Sequence, residues 1–212
     1  MLNYLYADQL EDFPKPKHTM FRDRTTQFSE RLKWEVKIDE NGYEKDEYDA
    51  QSPMYAIWSR SDGTHGGSMR MMPTTAPCMV NDHFSHIMGG AITSPLIWEC
   101  TRFCLSPNIA DESARVSAAM MLAVCELGLK FQLLHAIGVF DPRVSRIYRT
   151  LGWCPEVIGS SGLGREKIQV GLWEFSEETR HILCAKTGIT PELSTLWIER
   201  AFDVPTLQEQ IA

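Results

Sequence analysis

Apolar and polar positions along this chain alternate in short runs that predict strands. Longer stretches repeat every three or four residues and predict helices. Met1 to Ala7 reads as a strand, followed by a proline link, Phe13-Pro14-Lys15-Pro16. Phe21, Arg24, Phe28 and Leu32 then fall at helical spacing, which makes Arg24 and Phe28 neighbours on one face. Trp34-Glu35-Val36 reads as a brief strand, and residues 39–53 as an acidic, turn-rich loop around Asn41-Gly42. Met54–Arg60 and Gly67–Met72 predict a hairpin joined at Asp62-Gly63, and residues 73–93 a long connection.

The second half is more regular. Ser94 to Leu105 is an apolar, aromatic, β-prone run bounded by prolines, the expected central strand. Asn108 or Asp111 can cap a helix running to about Phe131, with Ala114, Ala118, Met121, Leu122, Cys125 and Leu129 as its buried stripe. Leu133–Phe140 predicts a strand. Asp141-Pro142 opens a helix that Gly152 closes. Gly159 to Gly164 reads as a turn leading into a strand, Ile168–Phe175, because phosphate-binding glycine loops open helices instead. Two helices follow, one capped by Ser176 and stopped by Gly188, the other starting at Thr190-Pro191. This order predicts one α/β domain over residues 1–212, three layers α-β-α around a mixed, twisted sheet.

Composition narrows the function. With 212 residues, the chain is long enough for one full core and short for two. A net charge of −7 argues against nucleic acid as a partner. The six cysteines form no CxxC pair, which suits reduced thiols in the cytoplasm. No stretch has the length of a membrane span. His83 and His86 form an HxxH with no third ligand at a recognised spacing, so no metal is expected.

The central strand carries the chemistry. Glu99 and Arg102 sit inside an apolar run, and a charge buried there needs a partner. Regular alternation puts Ile97, Glu99, Thr101, Phe103 and Leu105 on one side and Trp98, Cys100, Arg102 and Cys104 on the other. Either each charge has its own salt bridge across the sheet, or a β-bulge shifts the phase and brings both to one site.

Taken in order, these residues resemble the acyl-homoserine-lactone synthases of the autoinducer (LuxI) family. The matching positions are Arg24, Phe28 and Trp34; Asp46 and Asp49 in Asp-Glu-Tyr-Asp; Arg70 in Gly-Ser-Met-Arg; and Trp98 to Phe103 in Trp-Glu-Cys-Thr-Arg-Phe. The likeness runs from about residue 1 to 175, and the remaining residues carry no motif of the family. It implies an N-acetyltransferase-like fold and a cytoplasmic acyltransferase of quorum sensing. S-adenosylmethionine is then a substrate and no cofactor is needed. An acyl group passes from acyl carrier protein, or in some members coenzyme A, to the α-amine. The carboxylate closes the lactone and methylthioadenosine leaves. A separate transcriptional regulator reads the product.

The resemblance also implies roles. An α-amine with a pKa near ~8 needs a proton acceptor, for which Glu99 is the candidate. Thr101 is the candidate for the oxyanion, with Arg102 as the third catalytic position. Arg24, Phe28, Trp34, Asp46, Asp49 and Arg70 form the expected S-adenosylmethionine site: aromatic faces for the sulfonium or adenine, carboxylates for the ammonium, guanidiniums for the carboxylate. The charged set read alone also fits a salt-bridge lattice that only shapes the N-terminal half. Phe103, Met121, Gly138 and Val139 are the expected acyl pocket. Members that use 3-oxo chains tend to carry threonine where this chain has Gly138, which points to unsubstituted or differently modified chains. Arg143, Arg146 and Arg149, three apart, predict a basic face for an acidic carrier protein. Two other readings stand beside this one. An acyl-coenzyme A-dependent N-acetyltransferase lacks its glycine-rich loop at Leu105-Ser-Pro-Asn-Ile-Ala-Asp-Glu. A non-catalytic small-molecule sensor has no use for Glu99.

Overall fold

The computed structural model describes residues 1–202. The predicted domain span of 1–212 and the motif-free tail therefore extend in part outside the described residues. Seven strands form one sheet in the order β1-β2-β3-β4-β5-β7-β6. They are β1 (Leu2–Tyr6), β2 (Met54–Ser59), β3 (His65–Pro73), β4 (Ile97–Leu105), β5 (His135–Phe140), β6 (Glu156–Ser161) and β7 (Ile168–Glu174). All neighbours are antiparallel except β4 and β5. That parallel pair meets only from Ile97↔His135 to Glu99↔Ile137, and the two strands then separate. The opening starts beside Glu99.

Helices cover both faces. On one side lie α1 (Pro14–Arg24) and α2 (Met79–Met88). On the other lie α3 (Ser113–Lys130), α4 (Ser145–Leu151), α5 (Glu177–Thr187) and α6 (Pro191–Phe202). The main core lies on the α3 side, where Met69, Met71, Met120, Leu122, Phe140 and Trp173 meet. Smaller clusters lie under α1, around Phe21 and Tyr55, and under α2, around Val80 and Ile137. The result is the three-layer α/β arrangement expected.

Local departures have local causes. The proline link is the first turn of α1, where proline costs nothing because those N–H groups have no helical acceptor. Residues 34–36 form no strand. They follow a π-helical turn, Thr25–Arg31, that continues α1. The long connection contains α2, whose short apolar face was masked by the flanking prolines and glycines. Helix α3 begins two residues after Asp111, with no side-chain cap. It is buried all round from Val116 to Gly128, whereas Ala114 is exposed, so the predicted one-sided stripe is too narrow. The Gly159 region is no simple turn: residues up to Ser161 belong to the edge strand β6.

Candidate active site

A bulge in β4 builds the site. Ser68 pairs with Cys104 and Arg70 with Thr101, so Arg102 and Phe103 together stand opposite Met69. Arg102 takes the left-handed conformation, φ 53°, unusual for a side chain of its size. The phase of the strand reverses there. Trp98 and Cys100 face the α3 core before the bulge, and Phe103 and Leu105 face it after. Glu99, Thr101 and Arg102 turn to the other side. Of the two arrangements open from the sequence, the bulge is the one adopted, and the expectation that Phe103 shares a face with Glu99 is corrected by it.

On that side three arginines meet three acids. Arg24 donates through Nε to Glu44 Oε2 at 2.6 Å and through both terminal nitrogens to Asp49 at 3.0 and 2.9 Å. Arg70 grips Asp46 with two nitrogens and lies 3.1 Å from Asp49. Its Nε donates to Thr101 Oγ1 at 3.1 Å, which leaves the threonine O–H free to donate elsewhere. Arg102 reaches Glu44 at 3.0 Å and Asp46 at 2.7 Å. The formal charges of the six cancel, as burial of so many ions requires.

The acidic loop is folded to serve this network. Asp46 caps a 3₁₀ turn, Glu47–Ala50, by accepting the N–H groups of Tyr48 and Asp49, while Asp49 Oδ2 accepts the N–H of Asp46. Burial pushes the Asp49 carboxyl up, but Arg24, Arg70 and the Tyr55 hydroxyl at 2.6 Å outweigh it and hold Asp49 well below the usual carboxylate range. Glu44 was missed in the sequence, where it is one acid among several. Its signal was the Asn41-Gly42 turn, which folds the chain back so that Ile38 bridges Glu44.

Arg24 is buried with two edges of its guanidinium bonded to Glu44 and Asp49, so it holds these acids in place. Asp46 and Arg102 form the more open edge of the network. Phe28 lies there, its ring 5.7 Å from the Arg102 guanidinium, and Trp34 stacks on it at 5.2 Å with planes 12° apart. Trp34 is 48% exposed and Phe28 buried. The stack follows from the end of the helix. Lys33 is left-handed at φ 59°, and the Trp34 N–H closes onto the Phe28 carbonyl at 2.9 Å. This is a Schellman-type closure widened by the π turn, with the hydrophobic contact that such closures make.

Glu99 stands apart from the ion pairs. It is fully buried, and its carboxylate accepts the N–H groups of Met79 at 3.2 Å and Val80 at 2.5 Å, the first turn of α2. Burial pushes its pKa up to about 7, against the pull of those two N–H groups and of Arg70. A buried carboxyl poised near neutrality beside the opening of β4 and β5 can take a proton from a group bound there.

A family model described as autoinducer synthase matches residues 10–183. The chain belongs to the autoinducer synthase family. It is 35% identical over 190 residues to an acyl-homoserine-lactone synthase of Rhizobium etli, covering 87% of this chain and 89% of that protein. The membership makes it an enzyme and removes the sensor reading. Among solved structures, BjaI, described as a coenzyme A-dependent acyl-homoserine lactone synthase with S-adenosylmethionine and isopentyl-coenzyme A, superposes with a TM-score of 0.78 at 22% identity, over 89% of this chain and 90% of that one. A putative N-acetyltransferase from Lactobacillus plantarum gives 0.51 at 12% identity, over 82% and 97% of the two chains, which places the autoinducer synthase fold beside that of the acetyltransferases.

The acyl-pocket expectations divide between the faces of the sheet. Phe103 and Met121 lie in or against the α3 core, and a side chain on Gly138 would point there too, towards Trp173. Val139 is on the opposite face with Ile137 and Val170. Arg143, Arg146 and Arg149 are exposed and line one surface hollow with Pro142, as the spacing predicted, although Arg143 is engaged by Asp141 at 2.8 Å. His83 and His86 stand exposed on α2. No described helix is long and apolar enough to cross a membrane.

Proposed function

We propose that this synthase makes an N-acyl-L-homoserine lactone from S-adenosylmethionine and an acyl thioester carried by acyl carrier protein, with no cofactor. The observation that carries the reading is Glu99, a buried carboxyl with a pKa near 7 at the mouth of the β4–β5 opening. The amine of S-adenosylmethionine loses its proton to Glu99 and attacks the thioester carbonyl. The tetrahedral oxyanion takes the Thr101 O–H, which Arg70 orients. Collapse expels the carrier thiol and leaves an amide. The substrate carboxylate then attacks its own γ-carbon, methylthioadenosine departs with the C–S electron pair, and the lactone closes. Phe28 and Trp34 offer their faces to the sulfonium or the adenine, and Arg102 with Asp46 holds the amino-acid end.

Two features favour the carrier protein over coenzyme A. Asp111 and Glu112 lie just ahead of α3, where a pyrophosphate would need a helix N-terminus free of carboxylates. The Arg143–Arg149 face gives an acidic carrier a cationic dock on an otherwise acidic chain. The test is a purified reaction with S-adenosylmethionine and matched acyl donors, read by mass spectrometry. Lactone and methylthioadenosine from the carrier-bound donor are expected. Lactone from the coenzyme A ester alone would revise the donor. No lactone from either would reject the reading.

A further inference from the structure

Three consecutive residues in the first turn of α2 each bond to a different part of the chain. The Val80 N–H donates to Glu99 on β4. Asn81 clamps the connection ahead of β4: its amide nitrogen donates to the Ile92 carbonyl at 2.8 Å, and its oxygen accepts the Ile92 N–H at 2.9 Å. Asp82 accepts the Tyr48 O–H at 2.9 Å, a bond that crosses to the acidic turn 34 residues back in the chain. Asp82 is exposed and Tyr48 is buried, so the bond ties a surface carboxylate to the interior of the site.

Tyr48 gives that bond its reach. Its ring lies 5.5 Å from the Arg70 guanidinium, which grips Asp46 and donates to Thr101. Tyr48 also stands between Asp46 and Asp49 in the turn Glu47–Ala50, and packs with Met72, Val80 and Ile137. One hydroxyl therefore joins two elements. The first, α2, carries the N–H partners of Glu99. The second carries two acids of the ion-pair network.

We propose that Asp82 is a positioning residue: acting through Tyr48, it holds the first turn of α2 where the Met79 and Val80 N–H groups meet the Glu99 carboxylate. The proposal rests on the reading above, in which Glu99 takes the proton of the attacking amine. Without the Tyr48–Asp82 bond the turn is held less closely to the acidic turn, and the two N–H groups hold the carboxylate less firmly. Both N–H groups favour the ionised carboxyl, so weakening them raises the pH at which Glu99 becomes a base. The other titratable groups around Glu99 are Arg70 on β3, Asp46 and Tyr48 in the acidic turn, Cys78 ahead of α2 and Cys100 next to it on β4. Burial holds the tyrosine and both thiols protonated well above neutral pH.

The experiment measures single-turnover acylation between pH 6 and 9, and the KM for S-adenosylmethionine, in the full chain, Asp82→Ala, Tyr48→Phe and the double variant. Asp82→Ala removes the acceptor together with a charge that favours a helix N-terminus. Tyr48→Phe removes only the O–H and changes no charge. Each single variant is expected to move the acid limb of the profile to higher pH and to slow acylation about tenfold at pH 7, the scale of one hydrogen bond to a charged group. The KM for S-adenosylmethionine should change little, because Arg24, Arg70 and Arg102 still hold Asp46 and Asp49. The double variant should be no slower than Asp82→Ala. An acid limb that keeps its place overturns the proposal, even where the variants are less stable or less active, because that is what a merely structural role produces. Effects of the two substitutions that multiply overturn it as well. An unaltered enzyme with no acid limb in this range would overturn the Glu99 reading, and this proposal with it.

Discussion

Glu99 and Val80 are joined by a 2.5 Å hydrogen bond, from a backbone N–H in the first turn of α2 to a carboxylate on the central strand. One carboxylate therefore does two things. It caps a helix that has no side-chain cap of its own, and it sits beside the opening of β4 and β5. Glu99→Gln keeps an acceptor for one N–H and removes the base. Acylation should slow by ~10²–10⁴-fold while S-adenosylmethionine still binds. Single-turnover acylation at the unaltered rate between pH 6 and 9 would make Glu99 structural.

The same carboxyl predicts a pH dependence of stability. Its folded pKa of about 7 lies above the ordinary value of 4.5. Between those values the folded state holds more protons than the unfolded chain, so stability falls as pH rises through this window. The contribution reaches about 3 kcal/mol by pH 8. Urea unfolding at pH 5 and pH 8 should show Glu99→Gln gaining on the unaltered protein at the higher pH. Parallel pH curves for the two proteins would contradict the shift.

Glu44 holds two arginines from different elements, Arg24 and Arg102, and no other acid in the network bridges that pair. Glu44→Ala leaves three largely buried arginines facing two acids, one charge uncompensated, and should cost about 3–5 kcal/mol of folding stability. Denaturant unfolding checks this. A loss below about 1 kcal/mol would show that the remaining acids rearrange to compensate.

Trp34→Ala removes the exposed half of the Phe28 stack. Affinity for S-adenosylmethionine should fall more than affinity for the neutral S-adenosylhomocysteine, by about 0.5–2 kcal/mol of cation–π attraction. Calorimetry with both ligands separates the cases, because equal losses would assign Trp34 to adenine.

Replacing Arg146 and Arg149 with glutamate should raise the KM for a carrier-bound donor steeply at low salt and leave the KM for S-adenosylmethionine nearly unchanged. A carrier KM that does not move at low ionic strength would remove this face from docking.

What the sequence determined by itself was local. Strand alternation and helix caps depend on neighbours a few residues apart, so β1, the β2–β3 hairpin, β4, β5, β7 and the last two helices are legible in it. The charged positions were also legible, because ions inside apolar runs must be explained. Their partners were not. Glu44 is one acid in a polar loop until the Asn41-Gly42 turn carries it under α1. The face of Arg102 depends on one extra residue in β4 relative to β3, a register that only the paired strands can set. Charge pairing, burial and strand register join residues distant in the chain. The tertiary structure alone decided them, and with them the pKa of Glu99.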